Sequence, residues 1–477
     1  MTIINLPVSK SLLLRCMTME FVRGVVRSRI VPASLLPEPR RLNIRFDEDE
    51  NDDIGYYASA LNTLTSLYNR DYVPSCGANP LRINIGEGGA PCRFFTALAS
   101  SLNTGSAILL SGSGRLPYRP LYPLTSVINQ LGGDVAIDSE LRYGKGEPDS
   151  EVKDILEIRG RELNGGEVEV NVGISSQFLS ALMMSAPLWE RGGYFRYGEG
   201  KRPVSAPYIA MTKDVMRRYG FKVVEQADGI EVKPAGKAGL TGNCIRLRES
   251  DWSAAAAIYE CVAVVKPKGH ILLPGLLPPE KSLQGDSGCC RLFRKLGVET
   301  EFTAEGAEIW YEPAIEKSGS ELFDADMSDM PDIVPALVGA LLMTGRRFRL
   351  CGTETLRHKE SDRGAALREE FAKLGLYLKE KIIECADGKI YGELTGEGLD
   401  EEGKETGCVL SSSRGDRIFE EEIILSSHGD HRIAMSLAPA MILCPGLRID
   451  RKEVVGKSYP TFYEEIRKFS SLKGNEK

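Results

Sequence analysis

The sequence predicts an α+β protein assembled from a recurring unit, with apolar helices inside and short sheets outside. Three observations predict it. A helix-like stretch ending in an apolar or aromatic residue and a glycine recurs at Leu131-Gly132, Tyr219-Gly220, Leu296-Gly297 and Leu374-Gly375, each followed by two short alternating segments. From Gly220 to Gly297 and from Gly297 to Gly375 the spacings are 77 and 78 residues. That period is too long for a solenoid and suits a compact duplicated unit. Finally, the helical stretches at 178–186 and 333–343 are apolar on most faces, which places them in a core.

Each element has a local reason. Glycine after the last apolar residue of a helix is a stop signal, because it takes left-handed dihedrals without a Cβ penalty. The alternation that follows is hairpin-like. It shows at Val135-Ala136-Ile137 with a later strand over 154–158, and at 221–224 with the turn Asp228-Gly229 and the strand 230–232. It returns at 298–300 with 308–311, and at 376–378 with a turn at Asp387-Gly388.

A chain of 477 residues is too long for one ordinary core, so two domains are expected and three are possible. No apolar run reaches the length of a membrane span, and Met1 to Lys10 lacks the apolar stretch of a secretory signal. Eleven cysteines without a C-x-x-C pair suit neither a zinc site nor a disulfide framework, which points to a reduced, cytoplasmic compartment. The net charge of −7 argues against nucleic acid as a partner. Six arginines between Arg23 and Arg45, followed by the acidic run Asp47 to Asp53, read as a solvated surface excursion, with Pro32, Pro37 and Pro39 in loop.

Charged and hydroxyl residues gather at element ends. Pro7-Val8-Ser9-Lys10-Ser11 opens a helix carrying Arg15, with Ser9 placed to cap it. The first-turn amides beside Lys10 and Arg15 can hold an anion, although a capped amphipathic helix without a ligand fits the fragment equally. Gly86 to Arg93 lets backbone approach a ligand closely, or is only a turn. Arg115-Leu116-Pro117-Tyr118-Arg119-Pro120 suits bidentate recognition of carboxylate or phosphate. Ser175, Ser176 and Gln177 after Ile174 either cap a buried helix or bind ligand oxygens. Asp332 stands just before an apolar helix, Arg357 to Arg363 packs six ionisable groups into seven residues, Asp430-His431-Arg432 heads another apolar helix, and Lys457 lies near the end. Cations massed at helix starts imply an anionic ligand. His270, His358, His428 and His431 show no metal-ligand spacing.

In this order, Leu6 to Ser11, Gly86 to Arg93, Arg115 to Pro120, Ser175-Ser176-Gln177, Ser205-Ala206-Pro207-Tyr208, Pro331-Asp332, Lys359 to Arg363, Asp430-His431-Arg432 and Lys457 resemble the EPSP synthases over essentially the whole chain. The resemblance implies the inside-out α/β architecture of enolpyruvyl transferases, two domains each of three βαβαββ repeats. One domain would span 10–245 and the other 1–9 with 246–477, the active site lying in the cleft between them. It implies transfer of the enolpyruvyl group of phosphoenolpyruvate to the 5-hydroxyl of shikimate 3-phosphate, releasing phosphate, with no cofactor, metal, membrane or macromolecular partner, in a cytoplasmic monomer.

Residue by residue, the resemblance puts shikimate 3-phosphate on Lys10, Ser11, Arg15, Ser175, Ser176, Gln177, Ser205, Tyr208, Asp332, Thr355 and Lys359. It puts phosphoenolpyruvate on Lys10, Gly89, Arg119, Gln177, Arg363, Arg432 and Lys457. Asp332 would be the base at the attacking hydroxyl and Glu360 the acid at the methylene carbon, with Lys10 the third catalytic group. Val8, Leu14, Glu87, Ala90 and Thr355 depart from the family's usual residues, and the segments 21–53 and 396–425 are longer or more irregular than usual. Two alternatives share the fold: a UDP-N-acetylglucosamine enolpyruvyl transferase and a non-catalytic ligand-binding relative. The first usually carries lysine-asparagine at Lys10-Ser11 and a cysteine before Arg119, where Ser111 to Arg119 has none.

Overall fold

All four helix-ending glycines stand in the left-handed region, with φ of +96° at Gly132, +88° at Gly220, +84° at Gly297 and +73° at Gly375. A Cβ would be strained there, so the residue type and the chain reversal have one cause. The computed structural model describes residues 1–30, 42, 44–46, 52–69, 80–137, 149–171, 175–198, 203, 205–236, 247–316, 321–384, 390–396, 423–444 and 446–472. The chain divides into two compact units, Lys10–Arg248 and Met1–Ser9 with Glu249–Lys477.

The first strand, β1 (Thr2–Ile3), belongs to the second of these. Unit Lys10–Arg248 begins with α1 (Lys10–Ile30) and α2 (Asp52–Tyr68). One repeat follows as β2 (Leu81–Asn84), α3 (Gly89–Ser100), β3 (Ala107–Gly114), α4 (Tyr122–Gln130), β4 (Val135–Ile137) and β5 (Asp149–Arg159). The next is β6 (Gly166–Val170), α5 (Ser176–Ser185), β7 (Gly193–Tyr197), α6 (Ala206–Arg218), β8 (Val223–Gln226) and β9 (Gly229–Val232). Both build a sheet of one pattern, β2-β3-β5-β4 and β6-β7-β9-β8. The first pair is parallel and the hairpin joins it antiparallel.

The other unit continues with α7 (Trp252–Val265), β10 (Ile271–Pro274), α8 (Cys289–Arg294), β11 (Val298–Phe302) and β12 (Gly306–Tyr311). Then come β13 (Phe323–Asp326), α9 (Val334–Met343), β14 (Phe348–Cys351), α10 (Arg363–Lys373), β15 (Lys379–Glu384) and β16 (Ile390–Gly396). It closes with β17 (Ile424–Leu425), α11 (His431–Leu443), β18 (Arg448–Ile449) and α12 (Phe462–Leu472). Its sheets β1-β10-β12-β11 and β13-β14-β16-β15 repeat the same order. Parallel pairing of Thr2 with Ile271 and Ile3 with Leu272 ties the first residues to this unit.

The helices α7, α9 and α11 pack on one another as its centre, and α7 and α9 are buried along their whole length. The only acidic or basic side chain in α7 and α9 is Glu260, so neither helix has a charged face to turn to solvent. Each fully buried Val or Leu contributes about 1.5–3 kcal/mol.

Two expectations need correction. The stretch from Arg23 is not a surface excursion at its start: Phe21, Val22, Val25 and Val26 bury one face of α1, and Arg23, itself 6% exposed, donates to the Tyr219 carbonyl at 3.2 Å. At the far end, Asp53 is buried in the first turn of α2. Ser9 does not cap α1. Its Oγ is buried without a hydrogen-bond partner, while its N–H donates to the Glu249 carbonyl at 2.7 Å. Pro32, Pro37, Pro39, most of the acidic run, Ile174, the turn Asp387-Gly388 and most of 396–425 lie outside the described residues.

Candidate active site

In the unit containing Glu249–Lys477, the organising group is the Arg363 guanidinium, 1% exposed at the start of α10. Its Nη1 donates to Asp332 Oδ1 at 2.9 Å and its Nη2 to Glu360 Oε2 at 2.9 Å. Its Nε donates to Asp430 Oδ2 at 2.8 Å, where Ser361 Oγ also donates at 3.0 Å. Lys359 adds a bond to Asp332 Oδ1 at 3.0 Å. Local sequence makes this possible. Asp362 caps α10 by accepting from the Ala365 amide, and Asp430 caps α11 by accepting from the Arg432 amide, so two helix starts present their basic residues together. One planar fork thereby gathers three carboxylates, which a lysine could not do.

The carboxyls of this cluster are tuned apart. Burial alone would push Asp332 up, but Lys359, Arg363 and Arg432 outweigh it and hold the group well below the usual carboxylate range. Asp286, accepting a hydrogen bond from Ser253 Oγ, is pushed the other way by burial and by the charge of Asp332. Lys457 Nζ donates to the Gly429 carbonyl at 3.2 Å. Thr355, in the turn Glu354–His358, keeps a buried Oγ1 without a hydrogen-bond partner.

In unit Lys10–Arg248, Lys10 opens α1 and its Nζ meets Asp53 Oδ2 at 2.8 Å. Gly89 opens α3, and a Cβ there would stand 2.5 Å from Arg119 Nη1, so glycine is what lets the arginine lie against the helix start. Arg93 donates to Gln177 Oε1 and lies 4.9 Å over the Phe178 ring. Ser175 caps α5 by accepting from the Gln177 amide at 3.3 Å, with Ser176 in the first turn. Ser205, with φ of +53°, precedes α6, which carries Tyr208. Arg15 is 2% exposed and donates to Thr212 Oγ1 at 2.7 Å, the Ser11 carbonyl at 2.7 Å and the Tyr208 carbonyl at 3.3 Å. Burial pushes its guanidinium down to about 10.

The profile of the family described as EPSP synthase (3-phosphoshikimate 1-carboxyvinyltransferase) matches residues 61–466. The chain belongs to the EPSP synthase family. Among its relatives, a 3-phosphoshikimate 1-carboxyvinyltransferase of Bacteroides fragilis is 33% identical over 81% of this chain and 82% of its own length. One of Korarchaeum cryptofilum is 32% identical over 81% and 78%. The solved EPSP synthase of Acinetobacter baumannii superposes with a TM-score of 0.57 over 98% of this chain and 95% of its own, at 19% identity. The enolpyruvyl transferase NikO of Streptomyces tendae does so with a TM-score of 0.52 over 98% and 94%, at 9% identity. The α+β architecture of this enzyme family is therefore the architecture of this chain.

Within that EPSP synthase fold, Asp332, Lys359, Glu360 and Arg363 form one hydrogen-bonded cluster, with Arg432 acting on Asp332 electrostatically. Gly89 with Arg119, Ser175 with Gln177, and Ser11 and Tyr208 with Arg15 form smaller groups in the other unit. Two carboxylates that the structure sets against expected site residues, Asp53 beside Lys10 and Asp286 in the field of Asp332, escaped sequence reading. Asp53 was submerged in an acidic run, although paired aspartates in a first helical turn are a recognisable start signal. Asp286 is a single carboxyl in the short turn Gly285–Gly288, and nothing local marks it.

Proposed function

We propose that this chain performs the reaction of its family. It joins the enolpyruvyl unit of phosphoenolpyruvate to the 5-hydroxyl of shikimate 3-phosphate and releases phosphate. The observation that carries the reading is the Arg363 hub, which holds the expected base Asp332 and the expected acid Glu360 on adjacent nitrogens at 2.9 Å each. In the addition step, Glu360 gives a proton to the methylene carbon of phosphoenolpyruvate. The 5-hydroxyl oxygen bonds to the neighbouring carbon, and Asp332 takes the hydroxyl proton. In the elimination step, the methyl group so formed returns a proton to the Glu360 carboxylate, the double bond forms again, and phosphate leaves with the proton held by Asp332.

The electrostatics support a substrate-gated base. With Lys359, Arg363 and Arg432 around it, Asp332 is a weak base. Phosphate and carboxylate groups of the substrates compete for those cations and so raise its basicity only when both reactants are bound. Gly89, Arg119, Arg363, Arg432 and Lys457 then serve phosphoenolpyruvate, with Lys10 and Gln177 shared between both substrates. Ser11, Arg15, Ser175, Ser176, Ser205, Tyr208, Thr355 and Lys359 serve shikimate 3-phosphate. We read the protein as a cytoplasmic monomer; among the described residues no helix is long and apolar enough to cross a membrane. Glyphosate, which in this family takes the phosphoenolpyruvate position, is expected to inhibit competitively with phosphoenolpyruvate, as initial rates at varied substrate would show.

The test is phosphate release from phosphoenolpyruvate with shikimate 3-phosphate or UDP-N-acetylglucosamine as acceptor. Release with the first alone supports the reading. Release with the second alone assigns the sister activity, and release with neither assigns a non-catalytic role.

A further inference from the structure

Away from the Arg363 cluster, the same helix α10 carries a second buried carboxylate with no place among the expected ligands. Glu370 is 0% exposed. It accepts from the Ser426 amide at 2.7 Å and meets His428 Nε2 at 2.9 Å. From the other side Asp450 accepts from the Ser427 amide at 2.6 Å and from Ser426 Oγ at 3.0 Å. The turn so gripped passes through two left-handed residues, His428 at φ +50° and Gly429 at φ +67°. It then delivers two groups to the site. The Gly429 carbonyl holds Lys457 Nζ, and Asp430 holds Arg363 and Ser361.

We propose that Glu370 is a positioning residue for phosphoenolpyruvate, fixing through Ser426 and His428 the turn that sets Lys457 and Arg363. The inference rests on the reading of those two cations as phosphoenolpyruvate ligands. Displacing a binding group by about 1 Å can cost two orders of magnitude, so a turn carrying one anchor for each of two cations needs holding. A divalent cation is the rival explanation, since Glu369, Glu370 and His428 present ligand atoms within 4.8 Å of one another. Lys373 answers it by placing its ammonium 2.8 Å from both Glu370 oxygens, so the carboxylate charge is already met.

His428 makes the grip sensitive to pH. Facing it are Glu369, Glu370 and Lys373 on α10, while Asp450 and Arg451 flank the turn. The hydrogen bond to Glu370 raises its pKa above the ordinary histidine value. The charged grip is therefore complete at low pH and is lost as pH rises through that raised value.

The experiment is steady-state kinetics on His428→Asn and Glu370→Gln, with Lys457→Met and Arg363→Lys as direct controls. Asparagine tolerates the left-handed turn but is too short to reach Glu370, so His428→Asn decides the matter even if Glu370→Gln does not fold. The expected result is a rise in the KM for phosphoenolpyruvate of about tenfold or more, with the KM for shikimate 3-phosphate moving less than about twofold. A rise of the phosphoenolpyruvate KM with pH is expected in the wild type and should be absent from His428→Asn. If the controls raise that KM and the two test variants do not, the positioning role is overturned while the ligand reading stands. If the controls leave it unchanged, the ligand reading itself fails and the inference falls with it. Equal increases in both KM values would also overturn it, since they mark general loosening.

Discussion

Lys10 and Asp53 are 43 positions apart in the chain, and their charged atoms are 2.8 Å apart. The aspartate side chain is 8% exposed and the lysine 18%, so the pair is largely shielded from water without being sealed from it. That geometry fixes an ammonium which the proposed reaction assigns to both substrates. Asp53→Ala is expected to lower kcat/KM for phosphoenolpyruvate about tenfold, whereas Asp53→Asn, which keeps an acceptor for Lys10, retains most activity. Wild-type kinetics in the alanine variant would show that the pair has no part in the chemistry.

Glu360 offers a cleaner separation of binding from turnover. Glu360→Gln keeps an oxygen for Arg363 Nη2 and removes the proton donor. Turnover should fall by about 10² or more while substrate dissociation constants move little. Single-turnover rates and equilibrium binding measured together check this, and near-normal turnover would assign the proton to another group.

A third expectation concerns stability. Glu260 is 0% exposed in α7, and neither side-chain oxygen has a hydrogen-bond partner. Burial raises its pKa well above the ordinary carboxyl value, so the folded protein keeps this proton to a higher pH than the unfolded chain does. The unfolded chain ionises it from about pH 4.3 upward, so folding stability falls with rising pH until the raised folded pKa is reached. Glu260→Gln should flatten that slope and melt above the wild type at alkaline pH. Denaturant unfolding at several pH values measures both, and parallel pH profiles would contradict the assignment.

What could be read from the sequence was what local chemistry controls. Gly132, Gly220, Gly297 and Gly375 announced four helix ends and the hairpins after them, because a left-handed stop needs no distant partner. Asp332, Glu360, Arg363 and Asp430 were legible because helix starts concentrate charge. What could not be read was set by distant pairing or burial. Thr2 meets Ile271 across the whole of the other unit's sequence. The Ser9 backbone is tied to distant Glu249 while its Oγ caps nothing, and Asp53 leaves an acidic run to meet Lys10. Asp286 acquires its shift only from enclosure beside Asp332. None of these leaves a periodic or compositional mark.

In the proposed addition–elimination, Glu360 protonates the methylene carbon of phosphoenolpyruvate. The most direct measurement is mass spectrometry of the product formed from phosphoenolpyruvate and shikimate 3-phosphate in deuterium oxide. The passing methyl group then carries one solvent deuterium, and elimination leaves part of it on the vinyl carbon. The wild type should give an enolpyruvyl product labelled at that carbon, formed together with phosphate and nearly absent from Glu360→Gln. Product formed at the wild-type rate without deuterium on the vinyl carbon, or phosphate released without shikimate 3-phosphate, would contradict it.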